Sequence, residues 1–294
     1  MKDARARVAT RIRHAIAQWE QRPVLAEIRA GLEELMAGPV PGRISETEIA
    51  GMPAAIHAMP EAPRDRVILF CHGGGFQIGS LRSHASLMAR IAEASGVSVI
   101  GIDYRLAPES RFPAAHEDCF SAYKTLLEEG YAPGKIIVAG DSAGGSLALG
   151  VALQAREAGL PMPAGLVLIS AWLDLKMGGE SYISRAEQDI FSKTPQLKAM
   201  VRTYLGRGVE PDHQLVTPVD ADLAGLPPVL IHAGDFDITR DDSTLFATRA
   251  QAAGVDVTLK IWPEMMHHFQ VFAELPEAQE SLADIGDFIK NRVG

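Results

Sequence analysis

The stretch Lys135-Ile136-Ile137-Val138-Ala139-Gly140-Asp141-Ser142-Ala143-Gly144-Gly145 reads as an apolar strand that turns abruptly into a helix. Within it, Gly140-Asp141-Ser142-Ala143-Gly144 matches G-x-S-x-G, a pattern that has mechanical meaning in this setting. A sharp strand-to-helix turn strains the serine backbone, and glycines two residues before and after it leave room for close packing. Ser142 then projects at the carboxyl edge of a sheet as a nucleophile. The helix start beside it offers N–H groups to a developing negative charge. Serine also caps ordinary helices, so the motif acquires its meaning only from partners elsewhere in the chain.

Outward from this stretch, short runs rich in Val and Ile alternate with longer helical ones. Strands are expected at 66–72, 97–104, 135–140, 166–171, 229–233 and 257–262, and helices at 83–94, 114–129, 142–158, 243–253 and 277–292. Several strands are apolar throughout, as strands covered on both faces must be. The alternation predicts an α/β fold with a mainly parallel, doubly wound sheet. The segments 45–50 and 54–59 flank the turn Gly51-Met52-Pro53 and predict an antiparallel start to that sheet. Helices are also expected at 4–21 and 23–36, ended by the breaker run Gly38-Pro39-Val40-Pro41-Gly42. Between Trp172 and Pro227 the rhythm breaks for longer than a normal connection. This insertion, with a helix near 194–205 and apolar residues Tyr182, Ile190, Phe191, Met200 and Tyr204, reads as a cap. One domain over 1–294 is expected, with cap elements at 1–42 and about 175–215.

The chain of 294 residues carries 28 Lys and Arg against 37 Asp and Glu, a net charge of −9, with 47% hydrophobic residues. That composition belongs to a folded globular protein with a large core. It excludes nucleic acid and anionic membrane as main partners, since both require a basic surface. The longest uncharged stretch, 158–173, contains Pro161 and Pro163 and falls short of the roughly 20 apolar residues of a membrane span, so no stable membrane insertion is expected. Arg5, Arg7, Arg11 and Arg13 accompany Val8, Ile12, Ile16 and Trp19 at helical spacing, the pattern of an amphipathic helix rather than a leader. Cys71 and Cys119 are too few for a disulfide framework, which fits a cytoplasmic protein.

Seventy positions before the serine motif, His72-Gly73-Gly74-Gly75-Phe76 follows a strand and corresponds to the HGGG-type loop that builds an oxyanion hole. An oxyanion needs fixed N–H donors, and glycine lets the backbone approach without a Cβ in the way. Gly74, Gly75 and Ala143 are the expected donors; Gly73 either contributes or only shapes the turn. Neither phosphate-loop spacing nor a dinucleotide fingerprint is present. The nucleophile needs a base and an acid in the chain order Ser, Asp or Glu, His. His232 lies within a strand and reads as a core histidine. His267 follows a strand on a loop, with His268 as its rival, and Asp235, Asp237, Asp241 and Asp242 are all candidates for the acid.

Taken together, His72-Gly73-Gly74-Gly75, Asp103-Tyr104-Arg105-Leu106-Ala107-Pro108-Glu109, Phe112-Pro113-Ala114-Ala115 and Gly140-Asp141-Ser142-Ala143-Gly144-Gly145 resemble the hormone-sensitive-lipase-like family of α/β-hydrolase esterases, its bacterial branch especially. The resemblance implies an eight-stranded sheet, a helical cap, no cofactor, and hydrolysis of short-chain carboxylic esters through an acyl-enzyme. The family's Asp-Pro-Leu-x-Asp motif falls on Asp237 to Asp241, which implies Asp237 as the orienting acid and Asp241 at a helix start. Its His-Gly-Phe motif falls on His267-His268-Phe269, which implies His267 as the base, with His268 where glycine is common. Ala171 in Ser170-Ala171-Trp172 replaces the family's proline. Asp103 and Arg105 are expected as a buried pair, Glu109 and Asp118 as loop anchors, and Asp141 as a support of the elbow. Phe76, Trp172, Phe191, Tyr204, Leu205 and Met266 are the expected pocket residues for a small apolar ester. A lactone hydrolase is the alternative reading of the same triad, and a small-ligand receptor, as in plant relatives that lost the triad histidine, is a more distant one. The family often pairs as homodimers through its last strand and helix, here about 257–290.

Overall fold

The computed structural model describes residues 2–21 and 24–294; the expected helix start at position 23 lies outside the described residues. Helices α1 (Lys2–Gln21) and α2 (Leu25–Leu35) precede the hairpin β1 (Arg43–Ile49) and β2 (Met52–Ala58). There follow β3 (Val67–Cys71), α3 (Ala85–Ser95), β4 (Ser98–Ile102), α4 (Ala114–Glu128), β5 (Ile136–Asp141), α5 (Ala143–Glu157) and β6 (Gly165–Ile169). The long insertion carries α6 (Ser181–Ser184) and α7 (Thr194–Leu205), and the chain closes with β7 (Val229–Gly234), α8 (Arg240–Ala252), β8 (Val257–Trp262) and α9 (Pro276–Val293).

Eight strands hydrogen-bond in the order β1-β2-β4-β3-β5-β6-β7-β8. The pairs β1–β2 and β2–β4 are antiparallel and the rest parallel, so both the doubly wound centre and its antiparallel start stand as expected. Successive strand residues point to opposite faces, and both faces are buried. Leu69, Val138 and Leu168 pack with α4, α5 and α8 on one side; Phe70, Ile137 and Val167 pack with α3 and α9 on the other. This two-sided covering is why the central strands lack polar alternation. The edge strand β1 is exposed along nearly its whole length, and Arg43, Glu46 and Glu48 on it oppose pairing with another chain.

Helix α8 begins three residues earlier than its expected start, at Arg240, which brings Asp241 and Asp242 into its first turn where the helix dipole favours them. Val8, Ile12, Leu32 and Met36 join α1 and α2 to the core on the α3 and α9 side. Among the described residues no helix is long and apolar enough to cross a membrane.

The elbow has the strain its motif predicts. Ser142 adopts φ 53° and ψ −124°, a region that costs a non-glycine residue free energy. Neighbouring strands hold it there: its N–H donates to Ile169 O at 2.9 Å, and its own carbonyl accepts from Trp172 N–H at 2.9 Å. Behind the turn, α5 runs so close to the end of β3 that a Cβ at Gly144 would collide with the carbonyl oxygens of Cys71 and His72. Gly144→Ala is therefore expected to cost about 1–3 kcal/mol through overpacking, read as a lower thermal midpoint; an unchanged midpoint would mean that the two segments have room to separate.

Candidate active site

Three loops at the carboxyl ends of β5, β7 and β8 bring Ser142, Asp237 and His267 into one line. His267 Nε2 lies 2.8 Å from Ser142 Oγ, and His267 Nδ1 lies 3.0 Å from Asp237 Oδ1. Asp237 Oδ1 also accepts from the Thr239 N–H at 2.7 Å and the Thr239 hydroxyl at 2.8 Å. All of these groups are buried. Burial alone raises the Asp237 carboxyl, but the charge and hydrogen bond of His267 outweigh it and hold the group below its ordinary value. Burial alone would lower His267; the Asp237 carboxylate reverses this and lifts it to about 9. Because a carboxylate only accepts, Nδ1 carries the proton and the neutral ring turns the Nε2 lone pair toward the serine hydroxyl. The sequence left His268 as a rival base, but its Nδ1 faces Asp141 Oδ2 at 2.9 Å. His232 is the buried strand histidine it was read to be, bonded through Nδ1 to Ser281 Oγ at 2.8 Å.

The glycine loop after β3 lies against the elbow. Gly74, at φ 118°, accepts from the N–H groups of Gln77 and Ile78 at 3.1 and 2.9 Å, closing a turn that a side chain would block at Ile78 O. Gly74 and Gly75 border the same cavity as Ser142, and Ala143 opens α5 beside them. Gly73 differs from the wider expectation: its N–H donates to Asp141 Oδ1 at 2.9 Å, so it is committed to the protein and shapes the turn. Asp141 also meets His84 Nε2 at 3.2 Å in addition to His268. Burial opposes its charge, but these two rings more than compensate and keep the carboxyl well below its usual range.

A cavity of about 40 Å³ adjoins Ser142 and His267, lined in part by Trp19, Leu32, Met36, Phe191, Leu197 and Met200. Of the expected pocket side chains Phe191 is there, and the others stand elsewhere. Phe76 stacks on Tyr204 with ring centroids 4.0 Å apart and lies 6.1 Å from Trp172; with Leu205 they belong to the core on the α4 and α5 side. Met266 precedes the turn at His268 and faces a separate cleft with Arg5, Ile190 and Phe236. The sequence reading missed Trp19, Leu32 and Met36, because their helical spacing marks a buried face without telling what it covers. A second correction concerns Arg105, whose partner is Asp118 at 2.7 Å rather than Asp103: the chain turns after β4, and α4 presents Asp118 to it. Glu109 anchors α2 through Arg29 at 2.9 Å.

Asp189 was also not singled out. Fully buried within the insertion, it accepts from the N–H groups of Phe191 and Ser192 through Oδ1 at 2.8 and 3.0 Å, and from Ile238 N–H through Oδ2 at 3.0 Å. It thereby ties the insertion to the loop that carries Asp237. Burial and then the Asp237 charge push its carboxyl upward. Among the described residues no group of three or more His, Cys, Asp or Glu side chains is arranged to hold a metal ion.

Residues 68–271 match a family model described as an alpha/beta hydrolase fold. An acetyl-hydrolase from Streptomyces hygroscopicus is 40% identical over 236 residues, 80% of this chain and 79% of the relative. An esterase from Acinetobacter venetianus is 39% identical over 229 residues, 78% and 76% of the two chains. Among solved structures, an esterase from the bacterial hormone-sensitive lipase family superposes with a TM-score of 0.96 at 39% identity, covering 99% of both chains.

The Asp189 tie has a measurable weight. Asp189→Ala leaves two buried N–H groups and the part-buried one of Phe191 without their acceptor, each buried one costing about 1–3 kcal/mol when unsatisfied. Its thermal midpoint is expected well below that of Asp189→Asn, which keeps one accepting oxygen; equal midpoints for the two variants would remove the carboxylate from this role.

Proposed function

This chain belongs to the bacterial hormone-sensitive-lipase family of α/β-hydrolase esterases, and from that premise we propose that Ser142, His267 and Asp237 hydrolyse short-chain carboxylic esters through an acyl-enzyme. The chain is a carboxylic ester hydrolase; the assignment of residues and the acyl length are the proposal. The observation that carries it is the unbroken hydrogen-bonded line from Ser142 Oγ through His267 to Asp237.

In this reading His267 Nε2 takes the Ser142 proton as Oγ attacks the ester carbonyl. Asp237 holds the ring and stabilises its cationic form. The tetrahedral oxyanion accepts from the N–H groups of Gly74, Gly75 and Ala143, which are fixed before the charge develops and need no reorganisation. Collapse of the intermediate expels the alcohol, which takes its proton from His267. Water then enters and loses a proton to His267 as it attacks the acyl carbon; collapse breaks the bond from the acyl carbon to Oγ, His267 returns the proton to Ser142 Oγ, and the carboxylic acid leaves. The cycle balances with these residues, the ester and water. A cavity of about 40 Å³, crowded by Phe191, Leu197 and Met200, favours short acyl groups. The segments 1–42 and about 175–215 act as a cap, since Trp19, Leu32 and Met36 from the first and Phe191 and Met200 from the second border that cavity.

Ser142→Ala is expected to lower turnover of a p-nitrophenyl butyrate probe about 10⁶-fold, and an organophosphonate should label Ser142 in the parent chain. Near-parental hydrolysis by purified Ser142→Ala would sink the assignment. The base works only when unprotonated, so kcat/KM should climb with pH and level off above about 9, the value to which Asp237 lifts His267. Asp237→Asn removes that lift: the limb should move to lower pH while the rate falls, by about 10⁴-fold on the precedent of such triads. A limb that stays near 9 in Asp237→Asn would assign the titration to another group.

A further inference from the structure

The cavity beside Ser142 is walled mostly by apolar side chains, yet His268 stands in its lining. The ring is held firmly. It lies 4.7 Å from the His267 ring and edge-on to Phe191 at 4.4 Å, on a residue in the left-handed region at φ 35°. Its Nδ1 faces the Asp141 carboxylate at 2.9 Å. Asp141 can only accept, so Nδ1 bears the proton and the neutral ring presents Nε2 as a bare acceptor. Burial keeps the ring neutral, pulling it down to about 4 against the pull of Asp141. That Nε2 is buried and has no hydrogen-bond partner. A buried acceptor without a donor is costly and is uncommon in folded proteins. His268 lines the same cavity as Ser142 and His267, and because its Nε2 is closed to solvent a donor on a bound ester reaches it by displacing the side chains that cover it.

We propose that His268 is a specificity-determining residue whose Nε2 accepts a hydrogen bond from a hydroxyl on the substrate, so that hydroxylated esters are preferred to their isosteres lacking it. The proposal rests on Ser142 being the nucleophile. It places the hydroxyl in the cavity that Ser142 also lines, beside the His267 ring, whose centroid lies 4.7 Å from that of His268. The recognised chemistry is the same whether the hydroxyl belongs to the acyl group, as in a hydroxy acid ester, or to the alcohol, as in a diol monoester. An apolar isostere in the same position leaves Nε2 desolvated and unpaired, and a site built around a polar partner discriminates strongly against a substrate that lacks it.

Two substrate pairs separate the sources: p-nitrophenyl 3-hydroxybutyrate against p-nitrophenyl 3-methylbutyrate for the acyl side, and 2-hydroxyethyl butyrate against propyl butyrate for the alcohol side. At least one pair should favour the hydroxylated ester by about tenfold or more in kcat/KM. His268→Phe should abolish that ratio. His268→Asn tolerates the left-handed backbone and keeps an amide oxygen, so it should recover part of the preference. A purely structural role would lower both members of a pair together and leave their ratio unchanged, which overturns the proposal. So does a parental ratio within about twofold in both pairs, a result that needs no variant to fold. Ser142→Ala on the same four esters keeps the two readings apart: hydrolysis persisting there defeats the nucleophile assignment, whereas Ser142-dependent hydrolysis without a hydroxyl preference defeats only the role of His268.

Discussion

A carboxylate buried among loops must be satisfied by those loops, and Asp141 at the end of β5 imposes that condition on this site. Desolvating a charge is expensive unless hydrogen bonds and opposite charge replace the lost water. Here the replacements are Gly73 N–H, His84 Nε2 and His268 Nδ1, at 2.9, 3.2 and 2.9 Å. They come from the glycine loop after β3, the residue preceding α3, and the loop after β8. One side chain thus fixes the glycine loop, the serine elbow and the histidine loop relative to one another. Neighbouring groups extend the grip: Ser83 Oγ meets His84 Nδ1 at 2.8 Å, and Ser170 Oγ accepts the His268 N–H at 3.0 Å.

Asp189 plays a comparable part on the other side of the site, binding the insertion to the turn that carries Asp237. The two acids differ in sign of response. Asp141 faces two imidazoles and is held low, whereas Asp189 has backbone N–H partners and the charge of Asp237 nearby and is pushed up. Burial is common to both, so the neighbours decide. The long segments over the site are held mainly by apolar contact. Arg5, Arg11 and Arg29 form ion pairs with Glu264, Glu274 and Glu109, but these are largely exposed and worth little each. Val8, Ile12, Leu32 and Met36 are almost completely buried and supply the larger stabilisation, since burying such a side chain contributes about 1.5–3 kcal/mol.

Much of this was legible in the amino-acid order because it is local. A strand buried on both faces is mainly apolar, so the strands expected at 135–140 and 229–233 are legible in their Val and Ile runs and stand at Ile136–Asp141 and Val229–Gly234; the antiparallel hairpin is legible from Gly51, although its turn is Ala50-Gly51 and Met52 and Pro53 already pair in β2. Ser142 was legible because a strained elbow excludes most residues at flanking positions. What failed depended on distant segments. The pair expected for Arg105 is Asp103, but the carboxylate that meets it is Asp118 of α4. Tyr204, Phe76 and Trp172 are expected at the substrate, yet Phe76 stacks on Tyr204 and all three lie in the core on the α4 and α5 side. Asp189 looked like any surface acid, since only its burial distinguishes it.

The sequence by itself determined the sheet, the elbow, the glycine loop and the set of acids and histidines available to the site, because strand burial, backbone strain and close backbone approach restrict residue type at the position where they act. Tertiary structure alone decided which donors remain free and which side chains meet. Gly73 and Gly74 are identical letters, but only one has its N–H taken by Asp141. His267 and His268 are identical as well, and adjacent, but the left-handed turn at the second sends one ring to Ser142 and the other to Asp141. Such choices depend on distances between segments far apart in the chain, which no local property encodes.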